Sequence, residues 1–113
     1  MVSIDSVSFG EAKVDGKVYY SDVIVWWDGH VELVSKSHQF GMSEILNLLR
    51  RKPEAVVIGT GLEQCVEVLE EVEQEMENRR VLLFVEKTPN ALEVFNALIS
   101  EGKKTVAFLH VTF

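Results

Sequence analysis

The sequence predicts a layered α/β domain, and three observations carry that prediction. The first third consists of short extended pieces separated by Asp-Gly pairs. Farther on, the apolar runs AVVI (55–58) and VLLFV (81–85) are continuous rather than alternating, as in strands covered on both faces. Amphipathic stretches of helical period follow each of them, the alternation expected of a sheet flanked by helices.

Taken in order, VSIDSVSFG alternates partially, and VDGKVYY carries the Asp15-Gly16 turn signal between extended pieces. SDVIVWW reads as a strand, and DGHVELV supplies the Asp28-Gly29 turn and another strand. Residues 35–42 are polar and turn-like. Ser43 is placed to cap a helix over 44–51, with Ile45, Leu46, Leu48 and Leu49 on its apolar face and Pro53 behind it. The longest helix is expected over 63–78, with an inner ridge of Leu62, Cys65, Val66, Leu69, Val72 and Met76. Thr88-Pro89 reads as a capped helix start, and Leu92, Phe95, Ala97, Leu98 and Ile99 fill that helix's inner face until Gly102. TVAFLHVTF is the final strand. Right-handed crossovers make the three rear strands parallel, although the last connection is short enough to leave its direction open.

With 113 residues, 47% hydrophobic and 26% charged, the chain suits a single compact domain spanning 1–113. One cysteine, Cys65, allows no intrachain disulfide and no Cys-rich metal site. The start MVSIDS lacks the basic and apolar segments of a signal peptide, and no apolar run is long enough to cross a bilayer. A cytoplasmic protein without membrane insertion is expected. The formal net charge of -7 discourages nucleic-acid binding. Two local basic clusters, Arg50-Arg51-Lys52 and Arg79-Arg80, fall where helices are expected to end, so they serve either the helix dipoles or a partner or anion.

No complete catalytic or metal motif is present, and no cofactor, metal ligand or catalytic residue is assigned. Gly59-Thr60-Gly61 resembles the start of a dinucleotide fingerprint, but the third glycine is replaced by Gln64 and no Gly-Lys-Ser/Thr follows. The turn is therefore read as structural or as the wall of a small-anion pocket. Glu63, Glu67, Glu71 and Glu75 recur every four residues, a solvated helix face or a partner surface. His30, His38 and His110 are too scattered for a metal signature. Cys65 is read as a buried thiol, and Trp26 and Trp27 as pointing to opposite faces of one strand, the outward one covered by the chain or by a partner. If the strands before Gly59 and Thr88 are neighbours, their loops meet at one sheet edge. Glu86 and Lys87 add charge there, with Asn96 and Glu101 bracing it.

Phe9-Gly10, the Gly16 turn, the strand through Val25, VVIGTG, Thr88, Ala91, Asn96, Glu101-Gly102 with Lys103, and Ala107, Leu109 and His110 form a joint pattern. It resembles the small domain shared by NADH dehydrogenase complex I assembly factor 3, the adipogenesis-associated cytoplasmic protein and many uncharacterised prokaryotic proteins. The resemblance implies a three-layer domain with a mixed central sheet, flanking helices and an added N-terminal antiparallel β portion. It also implies a final central strand running against the others, and a role in assembly or regulation with no common reaction. Gly59, Thr60, Gly61, Thr88 and Asn96 carry over as a family-like cleft, whereas Glu86-Lys87 depart from the usual methionine-aspartate. The function expected is an interaction, assembly or regulatory module, a monomer or weak homodimer with a protein partner. The alternative is a small-anion or metabolite-binding protein or enzyme using the 59–61 and 86–88 loops.

Overall fold

The computed structural model describes residues 1–35 and 39–113. His38 lies outside the described residues. Three short strands, β1 (Ile4–Ser8), β2 (Glu11–Val14) and β3 (Lys17–Tyr19), form an antiparallel sheet at the front. Asp15 and Gly16 both take positive φ, 49° and 82°, as a two-residue hairpin between right-twisted strands requires.

The central sheet is built from β4 (Asp22–Trp26), β5 (Val31–Val34), β7 (Ala55–Gly59), β9 (Leu82–Glu86) and β10 (Thr105–Leu109), in the order β5-β4-β10-β7-β9. Two-residue strands β6 (Gln39–Phe40) and β8 (Glu67–Val68) pair in parallel beside it. The helices are α1 (Met42–Leu49), α2 (Glu70–Arg79) and α3 (Thr88–Ser100). β10 is parallel to β7 and antiparallel to β4, and β7 is parallel to β9. This corrects the expected reversal of the final strand. The crossovers through α2 and α3 impose one direction on β7, β9 and β10, and β4 is the strand that runs against its neighbours.

Both faces of the sheet are covered, which is why its inner strands read as continuous apolar runs. On one face Val23, Val25, Ala55, Val57, Ala107 and Leu109 meet the front sheet and the Ala91, Phe95, Leu98 and Ile99 stripe of α3. On the other, Ile24, Trp26, Val56, Ile58, Val106 and Phe108 meet α1 and α2 through Ile45, Leu48, Val72 and Met76. VLLFV differs from the buried strand expected. It forms an edge, with Leu82 and Val85 exposed, because no strand among the described residues pairs on its far side.

Other local expectations give way to tertiary contacts. Gly41, not Ser43, precedes α1, and the Glu44 carboxylate reaches back to accept the Gly41 N–H at 2.7 Å. The Ser43 hydroxyl and that amide hold the Glu44 carboxyl below its ordinary value. Leu46 and Ala97 face outward. The helix expected over 63–78 begins only at Glu70, so Glu63 and Glu67 do not share a helical stripe with Glu71 and Glu75. Gln64 takes a left-handed φ of 59°, and the Glu63 and Cys65 amides donate to the Phe113 carbonyl. β8 then pairs with β6 where a helix would have continued. Cys65 is consequently exposed rather than buried.

Trp26 is fully buried, and Trp27 is half-buried, with its ring edge against Trp26 at 5.8 Å between centroids. The Arg51 guanidinium lies 4.7 Å from the Trp27 ring and pairs with Asp28 at 2.7 Å. The outward tryptophan is therefore covered from within the chain. That hydrogen bond from Arg51 holds the Asp28 carboxyl low. Arg50 lies over Trp26 and pairs with Glu32, which also accepts the Trp26 indole N–H at 2.6 Å.

Burial pushes the Glu32 carboxyl up, but the hydrogen bonds from Arg50 and Trp26 outweigh it and leave it below 4.5. Its charged form therefore stabilises the fold fully above the unfolded value of 4.5, and that contribution is lost as pH falls through the lower folded value. Glu32→Gln keeps an acceptor for the indole but removes the charge. We expect it to cost about 1 kcal/mol at neutral pH. In urea denaturation, the gap from the parent protein should close on acidification.

Candidate functional site

At the C-terminal ends of the parallel strands, β7 delivers Gly59-Thr60-Gly61 and β9 delivers Glu86-Lys87-Thr88. The two strands are direct neighbours, so the two loops meet. The Thr60 N–H and hydroxyl both donate to the Glu86 carbonyl, at 2.9 and 3.2 Å. The Gly61 N–H donates to Thr88 Oγ1 at 2.9 Å, and the Thr88 N–H returns a bond to the Gly61 carbonyl at 3.1 Å. Thr88 Oγ1 itself donates to the His110 carbonyl at 2.6 Å, tying in the exit of β10. Lys87, not Thr88, is the residue preceding α3, so the threonine hydroxyl is spent on the loops rather than on a helix cap.

The neighbouring amides are engaged in the same way. Leu62 N–H donates to the Thr112 carbonyl, and Glu63 N–H to the Phe113 carbonyl. At the start of α3, Asn90 and Ala91 donate to the Lys87 carbonyl, while Pro89 has no N–H to offer. A phosphate cradle needs several converging N–H groups. Here each of these amides has an internal acceptor. The glycines permit the close approach. A Cβ on Gly59 would lie 2.9 Å from Thr88 Oγ1, and one on Gly61 would lie 2.3 Å from the Phe113 oxygen.

Thr88→Val preserves shape but leaves the buried Gly61 N–H and one His110 carbonyl bond unmade. The expected cost is about 2–3 kcal/mol, read as a lower urea midpoint with an unchanged slope.

Asn96 stands apart from these loops. Its amide donates to the Ile4 carbonyl and accepts the Ile4 N–H, both at 2.9 Å, fastening α3 to the front sheet. Glu86 contributes through its backbone, and Lys87 is exposed. Cavities of about 630, 310 and 130 Å³ occur elsewhere, and none of these three is lined by residues 59–61 or 86–88. Among the described residues, no group of three or more His, Cys, Asp or Glu side chains is placed to hold a metal ion. No helix among them is long and apolar enough to cross a membrane.

One cluster lies beyond the sequence reading. Asp22 and His110 are fully buried, with Asp22 Oδ2 2.7 Å from His110 Nδ1. Asp22 Oδ1 accepts the Val111 N–H at 3.0 Å, and Thr112 Oγ1 lies 3.0 Å from His110 Nε2. The acid–imidazole–hydroxyl order resembles a nucleophile relay. Its Thr112 hydroxyl, however, is buried and lines none of those three cavities, so the cluster fastens the segment after β10 to the start of β4. Asp22 carried one signal in the sequence: a carboxylate opening an otherwise apolar strand.

A family model described as a protein of unknown function (DUF498/DUF598) matches residues 4–110. The conserved hypothetical protein PH1505 from Pyrococcus horikoshii OT3 is similar at 25% identity and a TM-score of 0.86, covering 98% of this chain and 99% of that one. A solved structure titled MT938 is 27% identical over 100% of both chains, with a TM-score of 0.83. A Bordetella pertussis protein described as a Mth938-like domain shares the fold at 18% identity and a TM-score of 0.74, over 96% of this chain and 85% of that one.

Proposed function

This chain belongs to the DUF498/DUF598 family of proteins of unknown function, and on that premise we propose that it is a cytoplasmic protein-interaction module serving assembly or regulation. The observation that carries the reading is an exposed aromatic pair. Phe9 and Phe113 are 58% and 53% exposed, with ring centroids 4.9 Å apart. Aromatic side chains of this kind are enriched at the centres of protein interfaces.

Both rings stand on fixed backbone. Gly10 N–H donates to the Val111 carbonyl at 2.8 Å, and the Phe113 carbonyl accepts from Glu63 and Cys65. In this reading Gly59, Thr60, Gly61 and Thr88 are the rigid floor of the surface. Exposed Lys87 and Glu63 supply polar groups at its rim, and Asn96 braces α3 behind it. A small-anion site at the same loops draws no support from the Thr60, Gly61 and Thr88 amides, which are engaged internally.

The test is purification of the tagged protein at native expression beside a Phe9→Ser/Phe113→Ser variant. The parent should bring down a stoichiometric partner that the folded variant loses. Clean monomeric recovery of the parent across several salt concentrations would count against a stable complex.

A further inference from the structure

At the opposite end of the sheet, where β7, β9 and β10 begin, lies the cavity of about 630 Å³. Its apolar part is formed by Leu49, Pro53, Val81 and Leu82. Four cations, Lys52, Arg79, Arg80 and Lys103, line it together with one carboxylate, Glu54. These cations come from three separate parts of the chain. The topology gathers them because α1, α2 and α3 lead into three adjacent strands. In a chain of net charge -7, this concentration runs against the overall balance.

Helix ends offer a competing explanation, since cations complement helix C-termini. The ends of α1, α2 and α3 all lie at this edge and present about half a negative charge each. Arg79 is already held by Glu75 at 2.6 Å, and Glu54 accepts the Lys104 N–H at 2.9 Å. Among the described residues, Lys52, Arg80 and Lys103 have no carboxylate partner within ion-pair distance. Three such charges exceed Glu54 and the three helix ends together by about half a charge.

The backbone adds a second observation. Lys52 and Arg80 follow α1 and α2 in left-handed conformation, with φ of 55° and 56°. Glycine is the low-cost residue at such positions, because a side chain there is strained. Both positions instead carry a cation into the same cavity.

We propose that this cavity binds a phosphorylated small organic molecule. The phosphates would sit among Lys52, Arg80 and Lys103, and the organic part would lie on Leu49, Pro53, Val81 and Leu82. The volume falls within the usual range of small-molecule sites, about 300–1,000 Å³. The site is independent of the Phe9–Phe113 surface, which lies at the other end of the strands.

ATP and inorganic tripolyphosphate titrated into the intact protein at low salt, followed by amide NMR shifts, test the proposal. ATP should saturably move the amides of Lys52, Arg80, Val81, Leu82 and Lys103, and should bind more tightly than tripolyphosphate. A Lys52→Gly/Arg80→Gly variant should remain folded, because glycine suits both backbone conformations, and should bind ATP at least tenfold more weakly. The proposal is overturned by the absence of a saturable ATP response, by shifts confined to other residues, or by undiminished binding in the double variant. Tripolyphosphate binding as tightly as ATP would overturn the organic class of ligand.

Discussion

Replacing Asp22 with alanine is expected to destabilise the protein by about 3–5 kcal/mol, the range seen when one member of a buried, hydrogen-bonded pair is removed. The carboxylate is fully buried and serves two groups equally cut off from water, His110 Nδ1 and the Val111 N–H. Alanine leaves both without that partner and opens space beneath the segment after β10. Leaving the buried Val111 N–H without its acceptor costs about 1–3 kcal/mol by itself. Asp22→Asn should cost less, since its carbonyl oxygen can still accept the Val111 N–H. Urea denaturation checks the ordering. A loss below about 1 kcal/mol for alanine would mean that the network is not a fastening.

Gly61→Ala should cost about 4 kcal/mol, from two effects that act together. Gly61 has φ of 110°, outside the regions a side chain adopts readily, and such strain costs about 1–3 kcal/mol. The added carbon would also lie 2.3 and 2.4 Å from the carbonyl oxygen and carbon of Phe113, so one backbone must move, at about 1–3 kcal/mol for overpacking. The displaced Phe113 carbonyl is the acceptor for Glu63 and Cys65, so the loop should loosen as well. Thermal denaturation with amide exchange across 60–66 reads both consequences. A variant as stable as the parent, with unchanged exchange, would show that the turn does not depend on this glycine.

The central strands were legible in the sequence because both their faces are covered, which leaves apolar runs with no polar alternation. The meeting of the Gly59–Gly61 and Thr88 loops also followed from two strands of one βαβ unit lying side by side. What local pattern could not carry were partners distant in sequence. The ridge from Leu62 to Met76 has helical spacing, yet Phe113 captures the amides of Glu63 and Cys65, and Phe40 pairs across from Val68. Asn96 was placed near the loops by its position in α3, whereas its two bonds go to Ile4, 92 residues away. Asp22 and His110 are 88 residues apart, and nothing local announces their pairing. The basic clusters were visible singly, but only the order of the strands brings Lys52, Arg79, Arg80 and Lys103 to one cavity.

The proposed interaction role requires the glycine-threonine turn to be a structural lock, not a cradle for an anion. Amide hydrogen exchange at Gly61, Leu62 and Thr88, measured with and without inorganic phosphate, addresses this most directly. The account predicts protection comparable to the amides of β7 and β10, with no change in shift or exchange when phosphate is added. Exchange as fast as that of exposed loop amides, or a saturable response of these three amides to phosphate, would contradict it.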